Sequence, residues 1–232
     1  MGPFRDHAAK LRYDASKVKV ICEGNSLVFG YGATNQATMS FPKQLQRLPL
    51  LSAAGITVTN LGVGGSTFKD LNSMTARAGA VDALYEAGKS HVLLIWEGTN
   101  TIWNNAAYSG ADAGQQCWDY VAARRAAMPG VKIVLLTTLP RYAGQNAQYG
   151  SDLITPNNKL IAYDNFLKAH WRDMGAAGIV DVRASGVFKE SGTNNQPQAW
   201  RPYNTDLVHL NDAGYGLVAQ YCEPVLRHLV AR

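Results

Sequence analysis

The chain lacks the features that mark the simplest functional classes. It holds three cysteines in 232 residues, an odd number without metal-ligand spacing. Neither a disulfide framework nor a cysteine-based metal site is written into it, and Cys22, Cys117 and Cys222 read as buried small hydrophobes. Charged residues make up only 17%, and Lys and Arg are scattered singly apart from Arg124-Arg125. The formal charge of +5 therefore forms no basic stripe, and no nucleic-acid partner is expected. No apolar run is long enough to span a bilayer, so membrane insertion is not expected. The opening residues, "MGPFRDHAAKLRYD", hold no apolar core of signal-peptide type. A cytoplasmic location is the default expectation, with a secreted or surface location left open. Also missing are a Gly-x-Gly-x-x-Gly after a strand and a Walker lysine, which argues against a nucleotide- or flavin-binding module.

What is there is a chain rich in hydrophobic residues, at 47%. That suits one domain over 1–232 with a substantial core, in which 1–16 form an N-terminal extension and 183–205 a long loop at the strand-end edge. Short apolar runs recur at 17–22, 56–63, 91–96, 131–139 and 178–182. Several are β-branched and nearly continuous, as in strands buried on both faces of a parallel sheet. Helical stretches separate them: 41–51, 74–88, 110–128 and 158–175, with a last one over 211–230 that Pro224 should kink or divide. Alternating strands and helices imply a doubly wound α/β sandwich.

In such a sheet, ligands sit beyond the carboxyl ends of the strands. Ser26 follows the first run between Gly24 and Gly30, where a tight turn could expose a nucleophilic hydroxyl beside free N–H groups. The competing role is a helix N-cap, which serine commonly fills. Of the five histidines, His7, His91, His170 and His228 fall in polar, strand or helical settings. His209 differs, lying in the loop "NTDLVHLNDAGYG" with Asp206 three residues earlier. That spacing lets a turn bring a carboxylate to the imidazole, although Asp206 could equally be a turn former beside a helix cap at Asn211 or Asp212. "NLGVGGST" adds Gly65 and "WEGTN" adds the Asn100 amide. A serine, an imidazole, a carboxylate and oxyanion donors are thus available from different strand ends, as acyl transfer requires.

These residues resemble the SGNH (GDSL-type) hydrolases, whose four blocks occur here in order from Gly24 to Asn211. They are "GNSLVFG" at 24–30, "NLGVGGST", "GTNT" at 98–101 and "DLVH". The resemblance implies a flavodoxin-like α/β/α sandwich with a mainly parallel five-stranded sheet and serine esterase chemistry without a cofactor or metal. It carries the nucleophile onto Ser26, the base and its partner onto His209 and Asp206, and the oxyanion hole onto Ser26, Gly65 and Asn100. Asn25 and Thr101 stand where the family usually has Asp, and Ser66 where Asp is frequent.

The expected substrate is a small-molecule or glycan ester, most simply an acetyl ester of a carbohydrate. Aromatic rings beside amides suit sugar stacking, which makes Trp96, Trp103, Trp200 and Tyr203, with Asn25, the candidate substrate contacts. Phe29, Tyr31, Tyr108 and Tyr142 fall in the same loops. A broad arylesterase or a lysophospholipase- or thioesterase-like hydrolase is the alternative, and an inactive sugar-binding relative a further one.

Overall fold

The computed structural model describes residues 17–142, 148–189 and 198–230. The extension expected over 1–16, His7 within it, and residues 190–197 of the long loop expected over 183–205 lie outside the described residues.

The five strands are β1 (Val18–Gly24), β2 (Val58–Gly62), β3 (Ser90–Trp96), β4 (Lys132–Leu136) and β5 (Gly178–Val180). They form one sheet in the order β2-β1-β3-β4-β5, with every pair parallel. The expected α/β fold is therefore observed. The helices are α1 (Ser26–Phe29), α2 (Gln36–Met39), α3 (Phe41–Arg47), α4 (Pro49–Ser52), α5 (Met74–Asp82), α6 (Thr99–Trp103), α7 (Gly110–Ala127), α8 (Ile154–His170) and α9 (Asp212–Val230).

Alternation along the strands splits the core in two. Val20, Cys22, Val92, Leu94 and Trp96 pack with residues of α3 and α9. Ile21, Leu93, Ile95, Ile133 and Leu135 pack with residues of α5, α7 and α8. All three cysteines are buried free thiols within these layers, as expected.

Helix boundaries depart from the sequence reading for local reasons. The stretch 41–51 divides into α3 and α4 because Leu48 precedes Pro49 and is held extended (φ −56°, ψ 138°). α8 begins at Ile154 because the Asp152 carboxylate accepts from the Ile154 and Thr155 amides at 2.9 and 3.1 Å. α9 runs through Pro224 undivided. The carbonyl that proline leaves without an N–H belongs to exposed Gln220, where water can satisfy it.

Parallel register brings three strand ends level: Gly24 pairs with Gly62 on one side and Trp96 on the other. The chain leaves β1 toward β2 and later enters β3 on β1's opposite flank, so the crevice opens where the winding reverses.

Candidate active site

At this crevice Gly24 makes the first bend. Its φ is +154°, and a Cβ there would stand 2.1 Å from the Trp96 carbonyl oxygen, so only glycine fits. The cap of α1 is Asn25, whose Oδ1 accepts from the Leu27 amide at 2.9 Å. The capping role considered for Ser26 is thus filled by its neighbour, and the Ser26 hydroxyl is left for other partners.

That hydroxyl lies 2.9 Å from His209 Nε2, and His209 Nδ1 lies 2.7 Å from Asp206 Oδ2. The second Asp206 oxygen accepts from the Val208 and His209 amides at 3.0 and 2.7 Å. Asp206 is therefore both turn former and imidazole partner, while Asn211 caps α9 by accepting from Gly214 N at 3.0 Å. Leu207, between them, has φ +68°, a left-handed conformation that a branched side chain adopts only under constraint. Asn204 Oδ1 holds its N–H at 3.2 Å, and the Tyr142 amide holds its carbonyl at 2.9 Å. Burial alone would raise the Asp206 pKa, but hydrogen bonds from the His209 ring and from the two amides outweigh it and hold the carboxyl below its ordinary value. An ionised carboxylate only accepts. The imidazole proton therefore sits on Nδ1, leaving Nε2 to accept from Ser26.

Three donor-bearing residues border the same cleft. The Ser26 N–H is the first of α1 and has no intrahelical acceptor. Gly65 has φ +72° and lines the cleft, and its N–H makes no hydrogen bond among the described residues. The Asn100 Nδ2 gives one hydrogen to the Ser66 carbonyl at 3.0 Å, which orients the amide and leaves its second N–H. Ser26, Gly65, Asn100 and His209 line one cleft of about 460 Å³.

Two positions where the sequence departs from the spelling of the family it resembles are structurally employed. Thr101 Oγ1 accepts from the Phe68 amide at 3.1 Å. Ser66 Oγ donates to the Asn72 carbonyl at 3.1 Å and accepts from Arg77 at 3.0 Å. Beneath the donors lies Glu97, a buried group that the sequence reading passed over. Its carboxyl faces the Asn25 side chain and the Gly98, Asn100 and Thr101 amides, none at ordinary hydrogen-bond geometry. Desolvation dominates these dipoles and pushes its pKa up to about 8.

The aromatic candidates fare differently from the polar ones. Trp96, Trp103 and Trp200 are fully buried, and neither they nor Tyr203 line the cleft. Trp96 donates to the Thr137 carbonyl at 3.0 Å. Trp200 packs between Tyr142 and Phe188 at 5.7 and 6.1 Å. Tyr203 packs on Phe188 at 6.1 Å. The three tryptophan rings are covered by the core, so the expectation that they meet a substrate is corrected; Tyr203 is half-buried and lies outside this cleft. Asn25 borders the cleft, with its side chain committed to the cap. The rings that reach the opening are Phe29 and Tyr31, 36% and 46% exposed. They lie 5.1 Å apart, with Tyr31 at 5.6 Å from the His209 ring.

Sequence reading also missed Arg141, which lines the cleft on the chain leaving β4. That exit is anchored by Asp164, which accepts from the Thr138 amide at 2.8 Å and from Arg183 at 2.6 Å. The available signal was positional: a charged residue a few places past a strand's carboxyl end faces the crevice. Among the described residues no group of three or more His, Cys, Asp or Glu is placed to hold a metal ion. Nor is any helix among them long and apolar enough to cross a membrane.

Comparisons agree with this architecture. The family model of the GDSL-like lipase/acylhydrolase family matches residues 22–217. The native aryl esterase of M. smegmatis superposes with a TM-score of 0.68 at 14% identity, over 91% of this chain and 99% of that one. A carbohydrate acetylesterase family member from Sinorhizobium meliloti gives 0.68 at 18% identity, over 93% and 100%. A mutant of an acetyl-xylooligosaccharide esterase from Geobacillus stearothermophilus gives 0.62 at 18%, over 94% and 96%. Identities this low speak to the fold alone. No curated protein matches the chain by sequence.

Proposed function

The chain belongs to the GDSL-like lipase/acylhydrolase family, and from that premise we propose that it is a serine esterase removing a small acyl group, acetyl in the first instance, from a carbohydrate. The observation that carries this reading is the unbroken hydrogen-bond chain from Ser26 Oγ through His209 to Asp206, at 2.9 and 2.7 Å. Ser26 attacks the ester carbonyl while His209 Nε2 takes its proton. Asp206 holds the imidazole tautomer and stabilises the imidazolium. The carbonyl oxygen becomes an oxyanion between the Ser26 and Gly65 N–H groups and the Asn100 amide. His209 returns the proton to the leaving alcohol, and water, activated in the same way, releases the acid.

Apolar side chains beside the donors, Leu27, Val63 and Leu139, line the cleft and offer an apolar surface to a short acyl group. Two of the fold relatives carry acetyl-ester names, which supports the same choice. The exposed Phe29–Tyr31 shelf beside His209 offers a flat face to a sugar, and equally to an aromatic leaving group. An arylesterase is therefore the second reading.

The test is labelling with a fluorophosphonate, followed by turnover of p-nitrophenyl esters of increasing acyl length beside acetylated sugars. Ser26-dependent labelling and a preference for acetyl are expected. Labelling that survives in Ser26→Ala would overturn the mechanism, and a preference for long acyl chains would overturn the substrate.

A further inference from the structure

We propose that Tyr31 selects the alcohol half of the substrate, its ring covering one face of a sugar and its hydroxyl bonding to a sugar hydroxyl. This deepens the esterase reading above and rests on it: it names the residue that favours a polyhydroxylated alcohol over an aromatic one.

Tyr31 lines the cleft and its backbone is held on both sides. The Tyr31 amide donates to the Ser26 carbonyl at 3.0 Å. Its own carbonyl accepts from the hydroxyl of fully buried Tyr215 at 2.5 Å. One residue on, a Cβ added to Gly32 would stand 3.2 Å from the His209 Cβ, so this backbone and the His209 loop pass in contact. Tyr31 is thus tied to Ser26 through its amide and to the His209 loop through Gly32.

The far end of the ring lies against Gly64. A Cβ there would stand 2.7 Å from Tyr31 Cε2 and 3.5 Å from its hydroxyl oxygen. Gly65 has a positive φ and Gly64 does not, so glycine at 64 is explained by space and not by conformation: bare backbone is the seat of the ring. Tyr31 therefore reaches from Gly64, beside the proposed oxyanion donor Gly65, to the His209 ring at 5.6 Å.

His209 returns its proton to the leaving oxygen in the esterase mechanism, so the alcohol departs along the His209 side of the cleft. A side chain beside that imidazole, 46% exposed, meets the alcohol in preference to the acyl group. Phe29 packs on the ring at 5.1 Å, tilted by 40°, and widens the apolar surface. The Tyr31 hydroxyl has no hydrogen-bond partner among the described residues. The side chain thus presents the two chemistries that a sugar also presents, an apolar face and a group that donates and accepts hydrogen bonds. An apolar or aromatic alcohol would use the ring and leave the hydroxyl idle.

The experiment compares kcat/KM for 6-O-acetylglucose, cyclohexylmethyl acetate and ethyl acetate. All are acetates of primary alcohols; the first brings a ring with hydroxyls, the second a ring alone and the third neither. Rates taken relative to ethyl acetate cancel general damage to the site. The unsubstituted protein should prefer 6-O-acetylglucose. Tyr31→Phe should lower its relative rate by about three- to tenfold, as the loss of one hydrogen bond implies, and spare that of cyclohexylmethyl acetate. Tyr31→Ala should lower both relative rates, the second by about three- to tenfold. Gly64→Ala, which crowds the ring off its seat without removing it, should lower them in the same direction. No preference for 6-O-acetylglucose, a relative rate untouched by Tyr31→Phe or by Gly64→Ala, or a Tyr31→Ala loss uniform across the three esters would overturn the proposal. Turnover of p-nitrophenyl acetate checks the esterase separately. Its absence would sink that reading and the proposal together, whereas its presence with uniform losses would sink the role of Tyr31 alone.

Discussion

Asn25 turns its amide toward the buried carboxyl of Glu97. Its Oδ1 is already taken by the Leu27 amide at 2.9 Å, so the group facing Glu97 is the Nδ2 donor. An Asp at this position would keep the cap acceptor but set a second carboxyl against the first, and two facing carboxyls release their second proton only reluctantly. Asn25→Asp is therefore expected to destabilise the fold, and more at about pH 9, where both acids are driven to ionise, than at about pH 6. The cost should largely vanish in a Glu97→Gln background, giving a coupling of about 1 kcal/mol or more. Urea melts of the four proteins at both pH values measure it; strictly additive costs would show that the two residues do not communicate.

Glu97 by itself should make stability fall as pH rises. Below its ordinary pKa of 4.5 the carboxyl is protonated in folded and unfolded chains alike. From there to about 8 only the unfolded chain ionises readily, and each pH unit favours unfolding by up to about 1.4 kcal/mol. The contribution is thus complete at low pH and lost progressively through that window. Glu23, buried and accepting from the Tyr120 hydroxyl at 2.5 Å, has its pKa pushed to about 7 by burial and adds to the same slope. Glu97→Gln should flatten the decline between about pH 5 and pH 8 without removing it. A slope identical to the unsubstituted protein would mean that Glu97 ionises normally.

Ser26→Ala should leave the fold within about 1 kcal/mol of the original, because Asn25 and not Ser26 caps α1. Turnover should fall by roughly 10⁴-fold or more, and His209→Ala should match it, since nucleophile and base act as a unit. Asp206 is half-exposed, so water can partly solvate the imidazolium when the carboxylate is gone. Asp206→Asn should therefore lose roughly a hundredfold less than Ser26→Ala. Initial rates with a p-nitrophenyl acetate series, alongside thermal melts, separate loss of chemistry from loss of fold.

The parts of this site that were legible in the sequence are those that depend on order along the chain. Strand runs ending in glycine fix where the crevice opens, and Asp206 lies three residues from His209, near enough for one turn to join them. Ser26, Gly65 and Asn100 follow because parallel strands must all end on the same side. What was not legible depends on which way a side chain turns after the backbone is placed. Trp96 ends a strand run and Trp103 and Trp200 fall in loop-like stretches, yet all three are buried in the core, while Phe29 and Tyr31, from the same glycine-rich segment as Ser26, are exposed. Glu97 gains its meaning only from Asn25, which lies far from it in sequence. Asn25 looked like a spelling change; in the fold it is a cap on one side and faces a buried acid on the other.

The proposed oxyanion donors offer a contrast between a lost hydrogen bond and a strained backbone. Asn100→Ala removes a side-chain donor from the cleft and should lower kcat by about 10²- to 10³-fold, the usual effect of losing one such donor, with little change in KM. It also strips the Ser66 carbonyl of its partner at 3.0 Å, so stability should fall by about 1–3 kcal/mol. Gly65→Ala keeps its N–H. The added Cβ would have only Asn72 Nδ2 nearby, at 3.5 Å, an ordinary contact, so the penalty is conformational: alanine at φ +72° costs about 1 kcal/mol. Gly65→Ala should therefore lose stability on a similar scale while retaining far more turnover than Asn100→Ala. Should the two variants lose kcat equally at matched stability, the Gly65 loop would be acting through its exact shape, and the division of labour among the three donors would have to be redrawn.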